Sequence, residues 1–304
     1  MALNLHLLRL FMHVAESASF SRAAEQLWIS QPAVSKGVRE LEHQLGLVLL
    51  ERGAGGHRMS GTPGVQLTEA GTALLGHARS IFAIERAAMD EVRTLIGLQR
   101  GSLTLGASTT VASYWLPAFV ARFCSAHPGI VPRVRVGNTQ WIAQQLLDYQ
   151  LDIALVEGEV EHAHIATAHW VEDEQLIVAP PGLNLGRGRV PPERLSAQRW
   201  ILREPGSGTR QSTERLCRAL GFQVEPWMEM ASNEAIARTV ASGLGVSMLP
   251  RVVVAEMLAL GTLREVKPRG GLRLSRPLSL LQLRSRVPSP AAASMLAMLR
   301  QGAD

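Results

Sequence analysis

The chain has 304 residues, 46% of them hydrophobic and 19% charged, with 27 glycines and 16 prolines; that is ordinary folded α/β material, enough for two or three domains, and it excludes a disorder-dominated chain. A formal net charge of +5 permits a nucleic-acid partner, yet residues 1–60 hold six Arg/Lys against five Glu, so the N-terminus is no basic block. The start lacks the basic, apolar and small-residue regions of a signal peptide and no apolar run is long enough to cross a bilayer, so a cytoplasmic protein without a membrane partner is expected. Cys124 and Cys217 lie far apart with no CxxC or Cys/His spacing, which predicts buried free thiols rather than a disulfide or zinc site.

Leu5, Leu8, Phe11, Met12 and Ala15 space out as a first helix. Phe20, Ala23, Ala24 and Leu27 fall at i, i+3, i+4 and i+7, with Ser19 as N-cap, and predict a second helix ending near Trp28. Ser30 then caps a third, in which Pro32 is tolerated because a first-turn N–H has no helical partner. On that third helix Val34, Val38, Leu41 and Leu45 share one side, while Pro32, Ser35, Lys36, Arg39 and His43 point away and Gln31 sits at the leading edge. An amide, a hydroxyl and two cations can reach base edges and phosphates in a major groove, which predicts a helix-turn-helix; a helical hairpin with a solvated polar face fits the same periodicity. Only Lys36 and Lys267 are lysines, and one of them is on that outer face.

The residues Phe20-Ser21-Arg22-Ala23-Ala24 followed by Ser30-Gln31-Pro32-Ala33-Val34-Ser35 closely resemble the DNA-binding signature of the LysR-type transcriptional regulators. The resemblance extends over nearly the whole chain. It implies an N-terminal, largely α-helical winged helix-turn-helix over about 1–67, a long linker helix over 68–98 and an α/β two-lobed effector domain, similar to periplasmic binding proteins, over 101–304. It also implies double-stranded promoter DNA as partner, contacted by Ser30, Gln31, Pro32, Ser35, Lys36 and Arg39, and RNA polymerase as a further partner. Residues 47–50 and 65–67 are expected to pair as a wing, with Arg52 and Arg58 as phosphate or minor-groove contacts. The Gly-rich stretch 51–64 between them is longer than the family's usual wing turn, and a mobile solvated loop accounts for it equally.

From Thr68 the pattern changes. Leu67, Leu74, Ile81, Ala88 and Leu95 recur every seven residues, and Leu75, Phe82, Met89 and Ile96 do so one step along. Such a seam suits a second copy of the same helix, or a helix packed on its own domain. In the family it pairs subunits, which implies a homodimer and commonly a homotetramer.

Beyond Gly101 strand and helix signals alternate. Strands are predicted at 103–106, 131–136 and 151–156 with helices at 115–125 and 141–149, then strands at 175–179, 200–202, 227–230 and 246–249 with helices at 209–220 and 233–243. A last strand at 273–283 and helix at 289–299 complete the chain. Two α/β lobes follow. By resemblance the chain crosses twice, near Glu172 and Lys267, so that lobe I takes about 101–171 and 268–304 and lobe II about 172–267.

In open α/β sheets ligands sit beyond the strands' carboxyl ends, where loops feed helix N-termini. Those loops carry Ser108, Thr109, Thr110, Asn138, Thr139, Glu157, Ser207, Gly208, Thr209, Arg210 and Asn233, rich in hydroxyls and free N–H groups suited to a small anion. Any one of the Ser, Thr and Asn residues taken singly is better read as a helix cap, and it is the convergence of several on one cleft that favours a site. The run Arg203-Glu204-Pro205-Gly206-Ser207-Gly208-Thr209-Arg210 resembles a branch of the family that includes regulators of sulfur assimilation and carbon fixation, which strengthens the expectation of an anionic effector. No GxSxG, GxxxxGK[ST] or HExxH motif occurs, and the spacing of His162, His164 and His169 matches no familiar metal site, so no enzyme activity, metal or cofactor is expected. The competing class is a solute-binding or catalytic α/β protein with an accessory helical domain.

Overall fold

The computed structural model describes residues 3–52, 65–95, 101–158, 160–186, 188–270 and 274–302. They form two compact units, Met1–Arg86 and Ala87–Asp304.

In the first unit Asn4 accepts hydrogen bonds from the N–H groups of His6 and Leu7 and starts α1 (Leu5–Ser17). The Ser19 hydroxyl caps α2 (Phe20–Leu27), and the Ser30 hydroxyl accepts from Ala33 N at the head of α3 (Gln31–Leu45), with Pro32 in its first turn. Strands β1 (Leu50–Arg52) and β2 (Val65–Leu67) pair antiparallel as the wing, and α4 (Glu69–Leu95) follows. Glu42 of α3 accepts from the N–H groups of Leu49 and Leu50 at 2.8 and 3.1 Å, which fastens the strand entry to the helix.

The core of this unit holds Leu8, Phe11, Val14, Ala23, Val34, Val38 and Leu41, and it also holds Leu75, Ala78 and Phe82 of α4. Part of the heptad stripe is therefore spent inside the domain, where Arg9 stacks over Phe82 and forms a two-pronged ion pair with Glu85. Three α-helices and a two-stranded wing bury too little by themselves, and α4 closes the apolar side they leave open. Farther along α4, Ile84, Met89 and Val92 stand about half exposed. Ile96, the side chain of Leu95, Arg58 and the side chain of Arg52 lie outside the described residues.

The second unit begins with β3 (Thr104–Ser108), a π-helical turn (Val111–Trp115) and α5 (Leu116–Ala126), then β4 (Arg133–Gly137), α6 (Thr139–Leu147) and β5 (Ile153–Glu157). A 15-residue strand, β6 (Ile165–Ala179), leads to α7 (Pro192–Ser196), β7 (Trp200–Arg203), α8 (Gly208–Ala219), β8 (Pro226–Met230), α9 (Asn233–Ala241), β9 (Ser247–Pro250), α10 (Arg251–Ala259) and β10 (Arg264–Val266). The chain ends in β11 (Ser275–Leu283) and α11 (Pro290–Gln301).

β3 lies between β4 and β5 in parallel, and β11 adds antiparallel to β5. β6 pairs with β11 along Ile165–Glu174, then from Gln175 changes partners to β9 and β10. One continuous strand thus carries the chain from the first lobe to the second, and β11 lies back in the first lobe beside β5. The parallel pair β7 and β8 meets β9 through a Trp200–Val246 bridge.

Each lobe's sheet is covered on both faces. Phe119, Phe123, Met295 and Leu299 pack on one side of the first and Ile142 and Leu146 on the other, while Leu195, Leu216 and Cys217 oppose Ile236, Val240 and Val254 in the second. That burial explains the apolar runs of β5 and β9. The sequence pattern missed the first two-thirds of β6, whose residues His169, Glu172 and Glu174 are polar and exposed, and also α7, α10 and β10. Both cysteines are free, and burial pushes the Cys217 thiol up to about 12. Among the described residues no helix is long and apolar enough to cross a membrane.

Candidate functional site

Two arrangements bring polar groups together, one in each unit. The first is the outer face of α3. Because Val34, Val38 and Leu41 are anchored in the core, the opposite stripe of the helix faces solvent. Gln31, Pro32, Ser35, Lys36, Arg39, Glu40 and His43 line one shallow concavity there, three basic or imidazole side chains against one carboxylate. Among the described residues of this unit Arg9 pairs with Glu85 and Arg79 with Glu16, and neither Lys36 nor Arg39 enters an ion pair. Free cations next to an amide and a hydroxyl on a solvent-facing helix are what phosphate and base-edge contacts need. Ser30 is engaged otherwise, since its hydroxyl caps α3 through Ala33 N at 3.4 Å.

The second arrangement lies between the two lobes of the second unit. Ser108, Thr109 and Thr110 leave the end of β3, and Ser207, Gly208 and Thr209 open α8. Across the gap Arg203 Nη1 donates to Thr109 Oγ1 at 3.1 Å and Asn233 Nδ2 to Thr110 Oγ1 at 3.0 Å; within its own lobe Asn233 Nδ2 also donates to Thr209 Oγ1 at 3.5 Å. The backbone N–H of Gln140 donates to Gly206 O at 3.1 Å. A methyl carbon at Gly208 would stand 2.4 Å from Glu157 O, so only glycine lets the start of α8 approach β5 this closely.

Beneath these contacts sits an ionic cluster that the sequence did not point to. Arg276 of β11 and Asp173 of β6 come from the two strands that cross between lobes, and each is about 2% exposed or less. Arg276 Nε donates to Asp173 Oδ2 at 2.9 Å and Nη1 to Thr209 Oγ1 at 2.8 Å. Its Nη2 lies 2.8 Å from the same Oδ2 and 3.5 Å from Glu157 Oε1, but at angles that leave its N–H groups without a hydrogen bond. Burial pushes the Asp173 carboxyl above its ordinary value; Arg276 opposes that shift, and Glu157 beside it adds to it. Gln175 Nε2 also donates to Asp173 Oδ2, at 2.8 Å.

A second arginine is neutralised in the same region. Arg203 grips Glu204 with Nε and Nη2 at 2.8 and 2.9 Å, and Asn138 Nδ2 donates to Glu204 at 3.3 Å while its Oδ1 caps α6 through Trp141 N. Burial works against the Glu204 carboxylate, yet the Arg203 hydrogen bonds prevail and hold it below its ordinary value.

The sequence-predicted residues thus divide. Ser108, Thr109, Thr110, Ser207, Gly208, Thr209 and Asn233 converge, and the hydroxyls of Ser108 and Ser207 and Oδ1 of Asn233 are buried without a hydrogen-bond partner. Ser207 begins α8 without capping it. Thr139 donates to Glu157 O at 3.1 Å, and Glu157 Oε1 accepts from Thr110 N at 3.3 Å, so both brace the first lobe's loops. Arg210 departs from expectation: its guanidinium is taken by Glu214, Glu229 and the carbonyl of Arg203, which fold it against its own lobe. The only hint of Arg276 and Asp173 was a charge within an otherwise apolar strand and a carboxylate flanked by two others. His162 and His164 are exposed with ring centroids 5.5 Å apart, and His169 meets Glu172.

Both units match known families. The family described as "Bacterial regulatory helix-turn-helix protein, lysR family" matches residues 5–72, and "LysR substrate binding domain" matches 97–304. The chain is 37% identical to the "Uncharacterized HTH-type transcriptional regulator YeiE" of Escherichia coli (strain K12), over 88% of this chain and 87% of that one. It is 35% identical to a "RuBisCO operon transcriptional regulator" of Allochromatium vinosum, over 82% and 80% of the two chains. The regulatory domain of CcmR from Synechocystis PCC6803, solved in complex with 2-PG, matches 66% of this chain and 97% of its own with a TM-score of 0.61 at 25% identity. With a helix-turn-helix whose outer face is cationic and free, followed by a two-lobed domain with a polar cleft, the chain belongs to the LysR family of DNA-binding, effector-responsive transcriptional regulators.

Proposed function

We propose that this regulator reads promoter DNA with Gln31, Pro32, Ser35 and Lys36 at the bases and Arg39 and the wing arginine Arg52 at phosphates, and that a small anionic effector held between the lobes gates that binding. Supporting the effector site is one observation above the others: the hydroxyls of Ser108 and Ser207, from opposite lobes, are buried without partners beside the uncapped start of α8. Hydroxyl donors and helix N–H groups suit an oxyanion. The arginines nearby are already matched by carboxylates, so the anion's partners would be the neutral donors Ser108, Ser207, Thr109, Thr110, Thr209 and the α8 amides.

Working boundaries are 1–67 for the DNA-binding domain, 68–98 for the linker helix and 101–304 for the effector domain. The exposed Ile84, Met89 and Val92 of α4 support pairing of linker helices in a homodimer, and family habit extends this to a homotetramer. Two paired recognition helices would read a near-palindromic operator. The protein would act in the cytoplasm, alongside RNA polymerase.

A ligand shifts a conformational balance only through unequal affinity for its two states, here open and closed lobes. The test is calorimetric titration of 2-PG, inorganic sulfate and inorganic phosphate into the full chain and its Thr109→Ala and Thr209→Ala variants, with and without DNA from the gene's own upstream region. Binding that both variants lose, with affinity altered by DNA, supports the proposal, because linkage requires the coupling to run both ways. Binding that the variants retain removes these residues from the site, and no electrophoretic shift of the upstream DNA removes the promoter role.

A further inference from the structure

The side chain that the DNA-reading face leaves unexplained is Trp28. It is 93% exposed, whereas Trp170 and Trp200 are buried and Trp141 and Trp227 are about half exposed. Burying an indole is favourable, and a ring left almost wholly in water beside the DNA-reading face is available to the same partner. The backbone holds it there. Trp28 adopts the left-handed conformation, φ 57°, that ends α2: its N–H donates to Glu25 O at 3.3 Å, and Ile29 N donates to Ala24 O at 3.1 Å. Glycine is the usual occupant of such a cap, and a tryptophan there bears a steric cost while its ring stays almost wholly exposed.

Its position names the partner. Trp28 is two residues before the N-cap of α3, and with Ser21, Ala24, Glu25, Ile29 and Gln31 it lines a concavity. Gln31 is also the first residue of the concavity along the outer face of α3. The two hollows thus adjoin at Gln31, and Trp28 flanks the end of the face that Gln31, Pro32 and Lys36 offer to a duplex.

We infer that Trp28 rests on the sugar-phosphate backbone of the operator beside the recognition helix, its ring against a deoxyribose and its Nε1–H donating to a phosphate oxygen. An indole supplies both an apolar face and a neutral donor. Such a contact carries no base information: it sets how deeply α3 enters the groove and strengthens binding to every sequence alike. It releases no counterion, so it leaves the salt dependence unchanged. Glu25, in the same hollow, repels the backbone and sets a limit to the approach. The inference rests on the DNA-binding role of α3.

The experiment compares wild type with Trp28→Gly, Trp28→Phe and Glu25→Gln by fluorescence anisotropy, on upstream DNA and on a random duplex at several salt concentrations. Trp28→Gly suits the left-handed backbone, so it removes the indole without disturbing the turn, which circular dichroism checks. Expected is about tenfold weaker binding of Trp28→Gly to both duplexes, with their ratio and the salt slope unchanged. Trp28→Phe falls between, and Glu25→Gln binds about twofold more tightly than wild type. The part of the emission lost in Trp28→Phe is shielded from iodide when DNA is added. Wild-type affinity in Trp28→Gly, or iodide quenching of Trp28 unaltered by DNA, overturns the inference, as does a change confined to self-association in sedimentation, which assigns Trp28 to a protein contact. A wild type that binds neither duplex fails the DNA-binding premise instead, and is read from the same titration.

Discussion

Lys36 and Arg39 stand in solvent and, among the described residues, engage no carboxylate, whereas Arg203 and Arg276 are buried and tied to Glu204 and to Asp173 and Glu157. The same kind of charge is used in opposite ways. On the α3 face the cations are left unpaired, so their interaction free energy is available to an outside polyanion; between the lobes it is consumed in holding two halves of one unit together. Removing a charge should therefore cost binding in the first region and stability in the second.

The largest break of that contrast is Arg276→Met. Leaving Asp173 and Glu157 buried without their guanidinium should cost the second unit about 3–5 kcal/mol, measured by denaturant unfolding. A companion Asp173→Leu change should recover part of it, since the carboxylate then no longer needs a partner. A loss under about 1 kcal/mol would mean that the cluster does not brace the lobes.

On the other side, Ser35→Ala and Lys36→Ala should leave unfolding free energy within about 0.5 kcal/mol of wild type, as expected of surface substitutions. Loss of a base contact should cost about 1–3 kcal/mol at one operator position, seen as relaxed preference there in competition binding, and loss of a phosphate contact should weaken all sequences alike. Unchanged affinity and preference in both variants would place the DNA elsewhere.

Asn138→Ala sharpens the comparison because this side chain both caps α6 and reaches Glu204. Loss of the cap alone is worth about 0.5–2 kcal/mol. If Asn138 also steadies closure, Asn138→Ala should raise protease sensitivity between the lobes, where Asn138→Ser, which keeps only the cap, should restore stability but not resistance.

The smallest expected effect is a pH dependence. Glu204 is held below its ordinary 4.5 in the folded chain, so its ionised form adds stability above that value, and the contribution is lost as pH falls through the depressed value. Wild type should melt above Glu204→Gln at neutral pH, and the two curves should converge on acidification. Partial exposure makes the difference modest. Parallel curves from pH 7 to pH 3 would mean that Arg203 does not depend on this carboxylate.

Much of the DNA-reading unit was legible because its information is local. Residues 19–45 set two caps, a turn and an inward stripe by spacing alone, and burial of Val34, Val38 and Leu41 then dictates which side of α3 faces out. The loops of the cleft were legible too, because parallel strands deliver their carboxyl ends to one edge wherever helices return. Only the tertiary structure decided the rest. Arg276 and Asp173 are 103 positions apart and meet because β6 and β11 lie side by side at the crossing between lobes, a pairing that no periodicity encodes. Arg210 was read as a cleft residue from its place in a motif, but Glu214 one turn along α8 and Glu229 on the neighbouring strand capture it first. The heptad stripe of α4 likewise predicts an apolar partner without naming it; Leu75 and Phe82 found theirs within the domain because three short helices leave a side uncovered, and Met89 did not. Spacing determines which residues share a face, and long-range packing determines what that face meets.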